Sequence, residues 1–249
     1  MANVGEADLD LGWRRVVRLG GLLALLAFAG TLFDIVFGSI TTGDLTLLPS
    51  TAAERFLEMA DHPLLGLYHL DLLNMLLNLI TVPVYVALFA VLKQSQRGFA
   101  TLALTLFCLG VAVYVSTNSA LAMYHLSERY AGASDAVARE RLVAAGEALI
   151  AAGEHGGYGV LPGSVLITVA SLTASIAIMK ATVFRKWVGI VGVLGASLLT
   201  AYLFLIAVVP GVETIATMAA APGGLLMLVW TLAVGIRLLG LGSSGRRSG

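Results

Sequence analysis

Long apolar runs separated by short charged segments dominate the chain. Windows of about 20 apolar residues, enough to cross roughly 30 Å of hydrocarbon, predict spans over 16–39, 64–92, 99–124, 158–180, 188–209 and 215–238. Backbone amides in lipid must bond within the chain, so each span is expected to be a helix. The pattern of the third runs on through Leu126 to Tyr130, so its end is expected to project into water.

Two intervening segments carry helical signals of a different kind. TAAERFLEMAD (51–61) opens with Thr51 and Glu54 in capping-box spacing. Its Phe56, Leu57 and Ala60 are expected on an apolar face, opposite Glu54, Arg55, Glu58 and Asp61. SDAVARERLVAAGEALIAAG (134–153) offers Ser134 or Asp135 as N-cap and sets Leu142, Ala145, Leu149 and Ile150 on one side. HGGYG (155–159) reads as a hinge back into the fourth span. The fold class expected is all-α: an integral membrane bundle of six transmembrane helices with two short amphipathic external helices. One transmembrane domain covers 13–239, with disordered cytoplasmic ends at 1–12 and 240–249. No repeat of 20–50 residues recurs.

Composition supports this reading. Of 249 residues, 58% are hydrophobic and 12% charged, against about a quarter charged in soluble domains, and mean hydropathy is +0.92. Zero net charge gives no electrostatic case for nucleic acid, so the lipid bilayer is the partner expected. Arg14, Arg15, Arg18, Lys93, Arg97, Lys180, Arg185, Lys186, Arg237, Arg246 and Arg247 fall on one side of the six-span plan. Arg55, Arg129, Arg139 and Arg141 fall on the other, which places both termini in the cytoplasm. The apolar stretch after Arg18 runs to Ile40, longer than a secretory signal core, and reads as a retained span. A single cysteine, Cys108, rules out an intrachain disulfide or thiolate cluster.

The chemistry worth pursuing is polar and lies inside the apolar runs. Asp71, Asn74, Asn78, Thr81 and Tyr85 recur three or four residues apart and are expected on one face of the second span. An aspartate there costs about 2.5–3.5 kcal/mol on insertion scales, so it should face protein or water rather than lipid. Tyr114, Asn118 and His125 make a matching face on the third span, and Asp34 belongs to the same outer layer. His69 is expected at the depth of Asn118. The candidate ligand-binding set is therefore Asp34, His69, Asp71, Asn74, Asn78, Tyr114, Asn118 and His125. The competing reading is interhelical bonding, worth about 0.6–2 kcal/mol per group.

Other motifs weigh less. His62, His69, His125 and His155 all fall near the external end, with Asp61, Asp71 and Glu154 as oxygen donors, but no HExxH or HxxxH spacing occurs. No metal site is assigned. A haem between His69 and His125 is disfavoured because both lie at the outer edge. Ser119 and Ser127 lie near His125, yet no G-x-S-x-G elbow exists. Ser164, Thr168, Ser171 and Ser175, and likewise Gly192 and Ala196, read as close-packing seams. Pro83 is expected to kink the second span, and Pro222-Gly223-Gly224 the sixth. No cofactor is indicated, phosphate loops are absent, and a homo-oligomer is left open.

The strings NSALAMYHLSERYAGASDAVARERLVAAGEALIA (118–151) and FRKWVGIVGVLGA (184–196) resemble bacterial six-span membrane proteins grouped as a domain of unknown function. The shared pattern is an LS-x-x-YA stretch, an arginine, an AAGEAL-like helix and the turn into the fifth span. The resemblance covers the central half of the chain and implies a six-helix protein of the bacterial plasma (inner) membrane. It implies no activity. The function expected is to bind or pass a small ligand, ion or lipid through an outward-facing polar pocket. Two alternatives stand beside it. One is an intramembrane hydrolase or transferase acting on lipid, with His69 or His125 as general base and Asp71 orienting it or binding metal. The other is a structural or regulatory subunit.

Overall fold

The structure, a computed structural model, describes residues 10–41, 48–153, 159–209 and 213–243, with backbone alone for 153 and 213–219. Of the loose ends expected at 1–12 and 240–249, residues 1–9 and 244–249 lie outside the described residues, as do Glu154, His155 and the hinge through 158, whereas 11–12 and 240–243 are helical. All regular structure among the described residues is helical.

α1 (Leu11–Thr41) begins five residues before its expected start because the Asp10 carboxylate accepts the Trp13 amide at 2.9 Å. α2 (Ala52–Asp61) and α3 (Pro63–His69) follow. α4 (Leu72–Thr117) has one non-helical residue, Gln96 (φ −139°, ψ 45°). A straight helix of 46 residues would be about 69 Å long. Yet Tyr114 reaches Asp71 at 3.1 Å, and Tyr85 stacks on Phe107 with centroids 3.8 Å apart. α4 is therefore a hairpin, its arms 72–95 and 97–117 folded together at Gln96. The reversal sits in the polar segment KQSQRG, where the apolar pattern lapses. α5 (Ala120–Gly132), α6 (Ala136–Gly153), α7 (Leu161–Lys180), α8 (Lys186–Val208) and α9 (Glu213–Ser243) complete the chain.

Among the described residues, five stretches are long and apolar enough to cross a membrane: Leu11–Thr41, Leu72–Gly132, Leu161–Lys180, Lys186–Val208 and Ala220–Ser243. They close a ring in which α1 packs on α4 and α9, α4 on α7, α7 on α8, and α8 on α9. The ring encloses a core around Tyr85, Leu88, Val91, Phe107, Ile178 and Trp230. Close approach is bought with small residues: a Cβ on Gly163 would lie 2.8 Å from Tyr114 N and 2.9 Å from Gly110 O. The serine stripe of α7 packs in the same way. Ser171 Oγ lies 2.8 Å from Tyr85 Oη, and Ser175 is fully buried against Gly192.

Several local expectations are corrected. The second span is not one helix from 64 to 92: it breaks between His69 and Leu72, where Asp71 takes φ 65°. The third does not run on to Tyr130 but breaks at Asn118–Ser119, where Asn118 turns extended. α2, α3, α5 and α6 pack into a small sub-bundle with its own core of Phe56, Met59, Leu70 and Met123. Both halves of the Thr51–Glu54 capping box are present. The buried face of α2 is Ala52, Arg55, Phe56 and Met59, whereas Leu57 and Ala60 face outward. Arg55 turns inward beside Glu58, whose other oxygen is bonded by His69. In α6, Asp135 is the N-cap, accepting from the Val137 and Ala138 amides at 3.3 Å each. Its Leu142, Leu149 and Ile150 join the sub-bundle core, but Ala145 is exposed and Gly146 takes the contact with Ala52 and Phe56.

Candidate functional site

The break at Leu70–Asp71 creates the site. The Asp71 amide bonds Tyr68 O, and its carbonyl accepts from Met75 N, both at 3.0 Å, so Asp71 is the N-cap of α4 in left-handed conformation. Aspartate is among the few L-residues that tolerate this geometry. Its carboxylate makes no cap bond to its own helix and is used elsewhere. Oδ1 accepts from Asn74 Nδ2 at 3.0 Å, and Oδ2 from Tyr114 Oη at 3.1 Å.

The Asn74 amide also lies 3.4 Å from Asp34 Oδ2, and Tyr68 Oη donates to Asp34 Oδ1 at 2.9 Å. A continuous chain Tyr114–Asp71–Asn74–Asp34–Tyr68 thus joins α1, α3 and both arms of α4. These donors are hydroxyls and an amide, which satisfy carboxylate oxygens without neutralising them. Two carboxylates sharing one amide form an electronegative centre, and all five groups are at least half shielded or buried. In lipid such a centre favours a cation or a hydrogen-bond donor.

Two spaces flank it. A groove of about 830 Å³ runs between α1 and α3–α4, walled by Phe33, Phe37, Tyr68, Leu72 and Leu76, with Asp61 and His62 at its polar end. Phe37 meets Tyr68 edge-on at 4.9 Å. Tyr68 therefore faces the groove while bonding Asp34. On the other side, a cavity of about 190 Å³ is lined by Asn78, Tyr114, Ser164, Thr168 and Tyr202.

The structure brings Asp34, Asp71, Asn74 and Tyr114 of the sequence-predicted set together, and adds Tyr68. Asn78 sits in the smaller cavity, outside the carboxylate chain. Asn118 donates to Leu70 O at 3.2 Å and accepts the Ala120 amide at 3.1 Å, stitching the two chain breaks together. His69 turns away from Asp71, its Nδ1 lying 2.7 Å from Glu58 Oε1. His125 is exposed on α5 and does not join the group. Ser127 Oγ bonds Tyr124 O on its own helix.

Arg55, Glu58 and His69 form a second polar centre that the sequence reading missed. Arg55 is 2% exposed and its Nη1 is 4.0 Å from Glu58 Oε2. The available signal was spacing: Ala52, Arg55, Phe56 and Met59 recur with helical period, and only the habit of assigning charge to water hid it. Among the described residues, no group of three or more His, Cys, Asp or Glu converges as metal ligands would.

The fold and its buried polar layer define a multi-pass α-helical membrane protein. The chain belongs to the family described as a domain of unknown function (DUF4386), whose model matches residues 19–238. That match takes in the carboxylate chain, the α4 hairpin and the sub-bundle. No curated protein and no solved structure matches the chain.

Proposed function

We propose that this is a six-span protein of the bacterial plasma membrane that binds a small cationic or hydrogen-bond-donating ligand, or an ion, at the Asp34–Asp71 pair. In this reading the transmembrane domain covers 13–239, each arm of α4 crosses once, and both termini are cytoplasmic. The sub-bundle of α2, α3, α5 and α6 then lies on the outer side. Support for that orientation comes from the basic residues near the Gln96 end. Lys93 lies 4.3 Å from the Trp13 ring centre, Lys180 lies 4.7 Å from that of Phe99, and Arg237 bonds the 181–185 turn.

The observation that carries the ligand reading is the meeting of two carboxylates from separate helices across Asn74, beside an aromatic groove. The groove gives access along its apolar wall, and Tyr68 stands between it and Asp34. Purified full-length protein in detergent, titrated with sodium, calcium or tetraethylammonium chloride at constant ionic strength, tests this. At least one cation is expected to raise the unfolding midpoint, and Asp34→Asn and Asp71→Asn to abolish the rise. Equal response of the wild type to all three, or an undiminished rise in both variants, refutes the reading.

The structural-subunit reading has its own support in the bonds of Asn118 to Leu70 and of His69 to Glu58, which join helices. Asn74→Leu separates the two. Pure bonding predicts lost stability with the cation response retained per folded molecule; a ligand site predicts loss of the response.

A further inference from the structure

At the Gln96 end of the bundle, far from the carboxylates, the 181–185 turn and the last turns of α9 enclose a groove of about 680 Å³. Its apolar wall is Val229, Leu232, Ala233 and Ile236, a one-face helical spacing. The wall is open to the surroundings, with Val229 46% and Ile236 58% exposed.

The rim is cationic. Arg237 Nε donates to Val183 O at 2.7 Å, which fixes the guanidinium beside the turn and leaves its Nη groups without a protein partner among the described residues. Arg185 shares the rim, exposed, and forms no ion pair among the described residues. As the N-cap of α8 it supplies no side-chain acceptor; its carbonyl takes the Val188 amide at 3.0 Å, and the Lys186 and Trp187 amides at the helix start carry partial positive charge. Trp187, 44% exposed, stands at the same level, where an indole marks a lipid–water boundary. Arg14, Arg15, Arg18, Lys93, Arg97, Lys180 and Lys186 belong to helix ends or turns on this side of the bundle without lining the groove, against Asp10 as the acidic residue of this end among the described residues.

A long apolar wall ending in two arginines and free helix amides matches an amphiphile with a negative head. We propose that this groove is a binding site for one anionic phospholipid, its phosphate between Arg185, Arg237 and the start of α8, and one acyl chain along the Val229–Ile236 face. The lipid acts as a wedge holding the α7–α8 turn against α9. The site is independent of the carboxylate pair, so Asp34→Asn and Asp71→Asn leave it intact.

The test is native mass spectrometry of the full chain in detergent, titrated with dioleoyl phosphatidylglycerol or dioleoyl phosphatidylcholine. Phosphatidylglycerol is expected to bind at least about tenfold more tightly. Arg185→Gln, which removes no observed protein contact, lowers that affinity about fivefold, and adding Arg237→Gln lowers it about thirtyfold in all. Ala233→Trp fills the wall and abolishes tight binding with both arginines in place. Equal affinity for the two lipids overturns the proposal. So does unchanged phosphatidylglycerol binding in Arg185→Gln and Ala233→Trp. Full displacement by millimolar inorganic phosphate, or a switch to dimers in place of lipid adducts, also overturns it.

Discussion

Asp71 combines two opposing contributions, and substitutions can separate them. Its φ of 65° is a backbone state that costs a non-glycine residue about 1 kcal/mol. Its carboxylate receives bonds from Asn74 and Tyr114, each worth roughly 0.6–1.7 kcal/mol inside a membrane protein. Asp71→Ala forfeits both bonds and keeps the strain, for an expected loss of about 1–3 kcal/mol. Asp71→Gly forfeits the bonds but relieves the backbone, so it should lie about 1 kcal/mol above the alanine variant. Asp71→Asn tolerates the conformation and keeps an acceptor for Asn74, but its new amide meets the Tyr114 hydroxyl, and the loss should be about half that of alanine. The assay is reversible unfolding in mixed micelles, titrated with denaturing detergent. The order expected is wild type, then asparagine and glycine, then alanine last. A glycine variant more stable than wild type by the full strain of about 1 kcal/mol would mean the carboxylate contributes nothing to the fold. Alanine equal to glycine would refute the left-handed strain.

Three further outcomes follow from the packing and the caps. Gly163→Ala sets a methyl 2.8 Å from Tyr114 N and should cost about 1–3 kcal/mol, whereas Gly224→Ala meets nothing within 4 Å and should gain up to about 1 kcal/mol; the same unfolding assay ranks them. Glu58→Ala removes the carboxylate between Arg55 and His69 and should cost about 3–5 kcal/mol, largely recovered by Arg55→Met in the same chain. Failure of the double variant to recover would show that Arg55 has a role beyond this pairing. The Glu54 carboxyl is held below its ordinary range by the backbone amides of Ser50 and Thr51. A lowered folded pKa means its contribution is present above the unfolded value and disappears as pH falls through the folded one. Amide exchange in α2 should therefore quicken in Glu54→Gln relative to wild type near neutral pH, and the two should converge as pH falls from 4.5 through the lowered folded value.

The gross architecture was legible because lipid leaves few choices: long apolar runs must be helices, and their lengths follow from hydrocarbon thickness. Thr51 and Glu54 were legible because a capping box is a local device. The break at Asp71 was not, since it carries no glycine or proline, and the apolar pattern continues on both sides of it. Periodicity nevertheless placed Asp71 and Asn74 together, because the left-handed residue sits at the cap, where the first helical turn begins. Asp34 was placed at the right depth, but its link through Asn74 depends on how α1 meets α4, a tertiary fact. Arg55 was assigned to the wrong face for a physical reason: a charge can turn inward when a partner meets it, and Glu58 on its own helix does so while held by His69 of the next. His125 failed to join the group because the helix assumed to carry it ends at Asn118 and restarts in a new direction.

The α4 reversal at Gln96 leaves no slack between its arms. Deleting one residue between Tyr85 and Gln96 would swing everything upstream by about 100°, carrying Asp71 away from the tyrosine that bonds it. Insertions that loops elsewhere absorb should therefore be silent near residue 134 and damaging near residue 90, so that this one-residue reversal acts as the ruler for chemistry at its far end.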